Sequence, residues 1–284
     1  MKNSKRIFLV IGLALSIILL VGCGKQSKAA SETGTVTIGS HTSDLQIWEH
    51  IAKSPQAKKL NLKIKTKVIS DGAQLNAATS DGQVDVNAFQ SYSYFEAYNK
   101  QNPKGKLAAL GTTYLEPMGI YSKKYKKIND IPDGTTFAIP NDPANTSRAL
   151  KLLESAGLVT LKKSFNAFSD MKDIKSNPKN LKFKEIDDGT GPRVLNDVPV
   201  VLIGNSIALA GGLHVLQDSI YHEKIDQSTK VNVNVLATAQ KNKNNPTFKK
   251  LVELYHDKEI QKYISKKYYG TKVDVNKSIS YLNK

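Results

Sequence analysis

Ile139-Pro140-Asn141-Asp142-Pro143-Ala144-Asn145-Thr146-Ser147-Arg148-Ala149-Leu150 joins the end of one element to the start of another. Residues 136–139 read as extended chain. Asp142 then offers the short carboxylate that caps a helix, and Pro143 falls at the first helical position, where its missing N–H costs nothing. Ala149, Leu152, Leu153 and Ala156 recur at i, i+3, i+4 and i+7, and Gly157 stops the pattern. The stretch is therefore a strand, a tight turn and an amphipathic helix. Units of this kind build α/β folds with mostly parallel sheets, which collect ligands where strand carboxyl ends meet helix N-termini.

The same alternation runs outward in both directions. Toward the N-terminus, strands are predicted over 35–39 and 62–69. In the second, Leu62, Ile64, Thr66 and Val68 alternate with Lys63, Lys65 and Lys67, the signature of a strand with one wet face. Residues 44–53 and 92–100 read as helices and 118–121 as extended. Beyond Gly157 come strands at 181–186, 200–203 and 231–236, then two helices within 246–256 and 259–268. No self-similar repeat interrupts the series.

The N-terminus has a different character. Lys2, Lys5 and Arg6 precede a run without charge from Ile7 to Val21, which ends in Leu20-Val21-Gly22-Cys23. The layout is that of a secretion signal, shorter than the roughly 20 apolar residues of a membrane span. Leu-Val-Gly-Cys matches the lipobox, so residues 1–22 are expected to be removed and Cys23 to carry the lipid. Acylation at more than one position holds a protein to a membrane where a single chain does not. Residues 23–34, small, polar and without periodicity, read as a flexible tether. Cys23 is the one cysteine of 284 residues, so no intrachain disulfide is possible and the fold must stand on its core. The formal charge of +16 comes from lysines scattered singly along strands and helices, not from a basic stripe with interleaved aromatics. Export and scatter argue against a nucleic-acid partner and suit an anionic envelope surface.

Few residues announce chemistry. Asn145 and Arg148, three apart, share a helix face displaced from the apolar stripe. A guanidinium beside a helix start suits a carboxylate, although a plain surface arginine would look the same. Val84-Asp85-Val86-Asn87-Ala88-Phe89-Gln90-Ser91-Tyr92-Ser93-Tyr94-Phe95 crowds aromatics at a strand-to-helix junction, where they either wall an apolar pocket or fill the core. His41, His50, His214, His222 and His256 are far apart and form no metal-ligand spacing, and Ser147 lacks a nucleophile-elbow context. His222-Glu223 reads as a solvated pair. Neither a metal nor a cofactor is indicated, and a binding protein is expected in place of an enzyme.

Several of these stretches together resemble the methionine-binding lipoprotein family (NlpA-type, MetQ-like), the substrate-binding components of methionine importers. The resemblance runs from about Val36 to the C-terminus. It rests on 84–90, on Glu116-Pro117-Met118-Gly119-Ile120-Tyr121-Ser122-Lys123-Lys124, on 139–150, on Ser176-Asn177-Pro178-Lys179-Asn180-Leu181-Lys182 and on Ala208-Leu209-Ala210-Gly211-Gly212-Leu213. It implies an α/β, two-lobed periplasmic-binding-protein-like fold of type II with two chain crossings. Lobe one would hold residues 35–120 and take back 233–284, and lobe two would hold 121–232. It implies a monomeric receptor, lipid-anchored on the extracytoplasmic face of a Gram-positive cell membrane. The receptor would pass an amino acid or dipeptide to an ABC transporter permease. An adhesin working through its basic exterior is the competing expectation.

Carried over residue by residue, Arg148 would hold the ligand carboxylate and Asn145 would bond nearby. Phe89 and Tyr94 would wall the side-chain pocket, with Gln90, Ser91, Gly204 and Asn205 completing the site. Three departures fall there. The family's Asp-Tyr-x-x-Pro-Asn reads Asp71-Gly72-Ala73-Gln74-Leu75-Asn76, its histidine after Phe-Gln is Ser91, and its Ile-Asn-x-Asn reads Ile203-Gly204-Asn205-Ser206. Losing a ring at Gly72 and an imidazole at Ser91 is expected to enlarge the cavity and weaken methionine binding, at about 1.5–3 kcal/mol per large buried side chain.

Overall fold

The computed structural model describes residues 34–283, so the expected signal peptide, Cys23 and nearly all of the tether lie outside the described residues. Ten strands form its two main sheets: β1 (Thr35–Ser40), β2 (Lys63–Val68), β3 (Val86–Ser91), β4 (Leu107–Thr112), β5 (Met118–Tyr121), β6 (Thr136–Pro140), β7 (Lys182–Ile186), β8 (Val200–Gly204), β9 (Ser219–His222) and β10 (Asn234–Ala239). The first sheet has the order β2-β1-β3-β10-β4 and the second β7-β6-β8-β5-β9.

Each sheet is parallel except for one strand. β10 runs antiparallel to both β3 and β4, and β5 antiparallel to both β8 and β9. The reversed strand is in each case the first one the chain lays down after leaving the other sheet. This is the two-lobed, twice-crossed α/β architecture. All four residues of β5 belong to the second sheet, so the expected boundary at 120 cuts through a strand and the outward crossing falls before Met118. The return strand, expected over 231–236, begins at Asn234 because a 3₁₀ turn over Gln227–Asn232 occupies the preceding residues.

Local sequence explains the elements that carry the site. The helix after β6 spans Pro143–Ser155, and the Asp142 side chain accepts from the Asn145 N–H at 2.9 Å. Gly157, at φ +74°, supplies the left-handed turn that ends it. The alternation in β2 is realised only in its first half: Leu62 and Ile64 are buried, whereas Val68 is 49% exposed. Trp48, Ile51, Leu251, Tyr255, Ile260 and Ile264 from three helices cover the first sheet, while Leu150, Leu152 and Leu153 pack on Phe137, Ile139, Val200 and Leu202 of the second. Among the described residues no helix is long and apolar enough to cross a membrane.

Candidate functional site

A cleft of about 620 Å³ collects the carboxyl ends of both sheets. His41 follows β1, Ser70 to Ala73 follow β2, and Phe89, Gln90 and Ser91 end β3. From the second sheet come Asn141, Asp142, Pro143, Asn145 and Arg148 after β6, Asp187 to Gly189 after β7, and Gly204 and Ser206 at and after the end of β8. Both sheets thus bring to one cavity the strand ends where α/β folds bind ligands.

The wall from the first sheet is aromatic. Phe89 lies 4.6 Å from His41 and 5.8 Å, edge to face, from Tyr94, measured between ring centres. The cavity expected at Gly72 is not open there. A Cβ at Gly72 would stand 2.8 Å from Phe89 Cε2 and 2.8 Å from the Tyr94 hydroxyl, so the two rings fill the space of the missing one. Gln90 reaches the cleft with its amide already committed: Nε2 donates to Asn76 and Asn87 at 2.8 Å each, and Oε1 accepts from Asn76 at 2.9 Å. Ser91 caps the following helix, its hydroxyl accepting from the Tyr94 N–H at 3.2 Å. His41 Nε2 is sealed from solvent and has no hydrogen-bond partner among the described residues. Burial holds this imidazole below its ordinary pKa, against the pull of Asp44 and Asp71.

The opposite wall is charged. Arg148 is 8% exposed, and its fork is taken: Nε donates to Glu223 Oε1 at 2.9 Å and Nη2 to Glu223 Oε2 at 2.5 Å and to the Glu116 carbonyl at 2.7 Å. Burial works against the guanidinium charge, but Glu223 more than compensates and keeps its pKa raised. Glu223 also accepts from the Met118 N–H at 2.8 Å. The solvated His222-Glu223 pair expected from sequence is therefore corrected: Glu223, 9% exposed, is the buried counter-ion of Arg148, 75 residues away along the chain. Asn145 Nδ2 donates to Asp142 at 2.9 Å and helps cap its own helix while lining the cleft.

At the end of β8 the two expected residues separate. Gly204 faces the cleft, with nothing within 4 Å of where a Cβ would stand. Asn205 is fully buried, and its Nδ2 donates to Glu116 at 2.9 Å and to Thr271 at 3.1 Å, so it does not line the cavity. It belongs to a buried knot at the crossing. There Lys272 Nζ lies 2.7 Å from Asp44 and 2.6 Å from Glu116, and 3.9 Å over the Tyr114 ring. The Ser206 hydroxyl donates to Glu116 at 2.7 Å and to Asp44 at 3.0 Å. Burial alone would raise the Glu116 carboxyl, but Lys272 and the donors from Asn205 and Ser206 bring it below its ordinary value.

Sequence reasoning assigned none of His41, Glu116, Asp188 and Glu223 to this site: Glu116 stood out only as the start of a family motif and Glu223 only as a solvated neighbour of His222. Asp188 follows β7 on the cleft wall, and burial, then Asp142, push its carboxyl up to about 7 against the lowering pull of Arg148. Burial, followed by Asp142, Asp71, Asp188 and Asp187, likewise holds the Tyr94 phenol well above its usual range.

Comparison with known proteins places this architecture. The family model described as NlpA lipoprotein matches residues 36–276. The methionine-binding lipoprotein MetQ of Bacillus subtilis is 34% identical over 96% of this chain and 99% of its own length. Among solved structures, protein PG110 from Staphylococcus aureus superimposes with a TM-score of 0.83 at 40% identity, covering 87% of this chain and 97% of that one. A nutrient-binding protein from Burkholderia cenocepacia, solved bound to methionine, gives a TM-score of 0.79 at 35% identity over 84% of this chain and 99% of that one. With a matching model across both sheets and relatives aligned nearly end to end, the chain belongs to the NlpA lipoprotein family.

Proposed function

We propose that this protein is the substrate-binding lipoprotein of an ABC importer. It captures methionine or a related amino-acid-like molecule, another amino acid or a short dipeptide included, between its lobes and delivers it to a membrane permease. The observation that carries the reading is the cleft itself, about 620 Å³, built from the carboxyl ends of both sheets and within the size range of small-molecule sites. Relatives named for methionine binding over nearly the whole chain supply the ligand class. Phe89 and Tyr94 wall the apolar end. Arg148, clamped by Glu223, offers the ligand its remaining amino group Nη1. Closure turns about the crossings on either side of lobe two, near 115–117 and 223–233, so that binding stabilises the closed form a permease recognises. No covalent step is needed, and Cys23 serves as the lipid anchor.

The test is calorimetric titration of the full chain in detergent, stripped of carried ligand by unfolding and refolding, against L-methionine, the other amino acids and short dipeptides. Saturable binding of one of them, abolished by Arg148→Ala, is expected. Absence of binding across the panel refutes capture of this ligand class.

A further inference from the structure

We propose that Asp188 is the cation acceptor of the cleft, the side chain that takes the ligand's ammonium group. The inference deepens the proposed capture function and rests on its claim that the cleft holds a small ligand. Asp188 stands just after β7, half-buried and lining the cavity; its Oδ1 is sealed from solvent and accepts no hydrogen bond from any described residue, and the rest of the carboxylate lies at the cleft. A buried carboxylate oxygen without a donor is costly, and a proton, a bound water or a ligand donor relieves it. The protein's own cation on this wall makes no hydrogen bond to Asp188, since Arg148 gives Nε and Nη2 to Glu223 and the Glu116 carbonyl. The amide that could have met an amino group, Asn205, is turned into the buried knot, and beside it Gly204 leaves open space.

The surroundings agree. Asp142 and Asp187 line the same wall, and Asp71 faces them from the first sheet with the rings of Phe89 and Tyr94, whose faces also favour a cation. Among the described residues no three His, Cys, Asp or Glu side chains are grouped closely enough to hold a metal ion. His41 Nε2, the second unpartnered polar atom lining the cleft, gives the ligand a further hydrogen-bonding contact from the opposite wall. With its carboxyl pushed up to about 7, the empty site is partly protonated at neutral pH, and an arriving ammonium displaces that proton.

Three probes separate the claims: L-methionine, 4-(methylthio)butanoic acid, which lacks the ammonium, and 3-(methylthio)propylamine, which lacks the carboxylate. Each is titrated into full-length wild type and Asp188→Asn. Asp188→Asn is expected to weaken methionine and the amine by about ten- to a hundredfold, the range of a hydrogen bond to a charged group, and to leave the butanoate within about twofold. Melting temperatures check that the variant folds, which the removal of a half-buried carboxylate with one sealed, unpaired oxygen favours. Unchanged affinity of Asp188→Asn for methionine and the amine overturns the inference while leaving capture intact. Binding of the amine but not methionine, lost in Asp188→Asn, upholds the inference and removes methionine from the proposed function. Failure of both ammonium compounds to bind wild type overturns the inference as well.

Discussion

Replacing Glu223 by alanine strips the Arg148 guanidinium of its counter-ion while leaving it buried. The two side chains are each 8% exposed and meet through Nε and Nη2, so among the described residues the variant leaves a nearly dry cation with the Glu116 carbonyl as its remaining hydrogen-bond partner. Breaking a buried pair from one side costs about 3–5 kcal/mol, because the surviving charge is left uncompensated. The Met118 N–H loses its acceptor in the same step. For a folded body of this size each kcal/mol lowers the melting temperature by about 2–4 °C, so a fall of roughly 6–20 °C is expected by circular dichroism. Glu223→Gln keeps the shape and one acceptor and should fall between. The double variant Arg148→Met, Glu223→Leu should recover most of the loss, since apolar replacement of a buried pair is often neutral. A shift under about 2 °C for Glu223→Ala would refute the reasoning, because the pair would then be hydrated in solution.

Lys272→Met leaves Asp44 and Glu116 facing each other without their shared cation, so denaturant unfolding should show a loss of about 3–5 kcal/mol. Glu116, held below its ordinary pKa of 4.5, contributes stability that is present above that value and disappears as pH falls through the depressed folded value; Glu116→Gln should flatten the acid limb of a melting-temperature profile. Asp188 acts in the opposite sense. Its folded pKa of about 7 exceeds the ordinary 3.8, so stability is lost as pH rises between those values, and Asp188→Asn should remove that slope and melt higher than wild type at pH 8. Gly72→Tyr drives its Cβ against Phe89 and Tyr94 and should cost about 1–3 kcal/mol of stability while weakening methionine. A tighter methionine complex at undiminished stability would mean that the ring's place stands empty.

Sequence and structure agree best where the signals are local. Asp142, Pro143, the apolar stripe and Gly157 fix the helix of residues 143–155 nearly to the residue because cap, first turn and stop are all chosen by neighbours within one or two turns. Of the residues the family motifs singled out, Phe89, Gln90, Ser91, Tyr94, Asn145, Arg148 and Gly204 line one cleft. What escaped was set by distance along the chain. Glu223 looked solvated because a counter-ion 75 residues away leaves no mark on its neighbours. Asn205 looked like a ligand donor until Glu116 and Thr271, far away in sequence, claimed its amide. Gly72 suggested a void because a sequence shows which side chain is missing but not which neighbours lean into the space.

The placement of β10 governs when the fold can close. β4 pairs with nothing in its sheet except β10, which wedges between it and β3. A chain emerging from its N-terminus therefore reaches residue 112 with three strands joined and a fourth stranded, and stays so until residue 239 has appeared. The first lobe is begun early and finished late, with the whole second sheet made in between. Long-range pairing of that kind is slow, because the closure entropy of the intervening loop is spent before the contact returns it. This topology is a built-in timer that delays completion of the first sheet until almost all of the chain has been made.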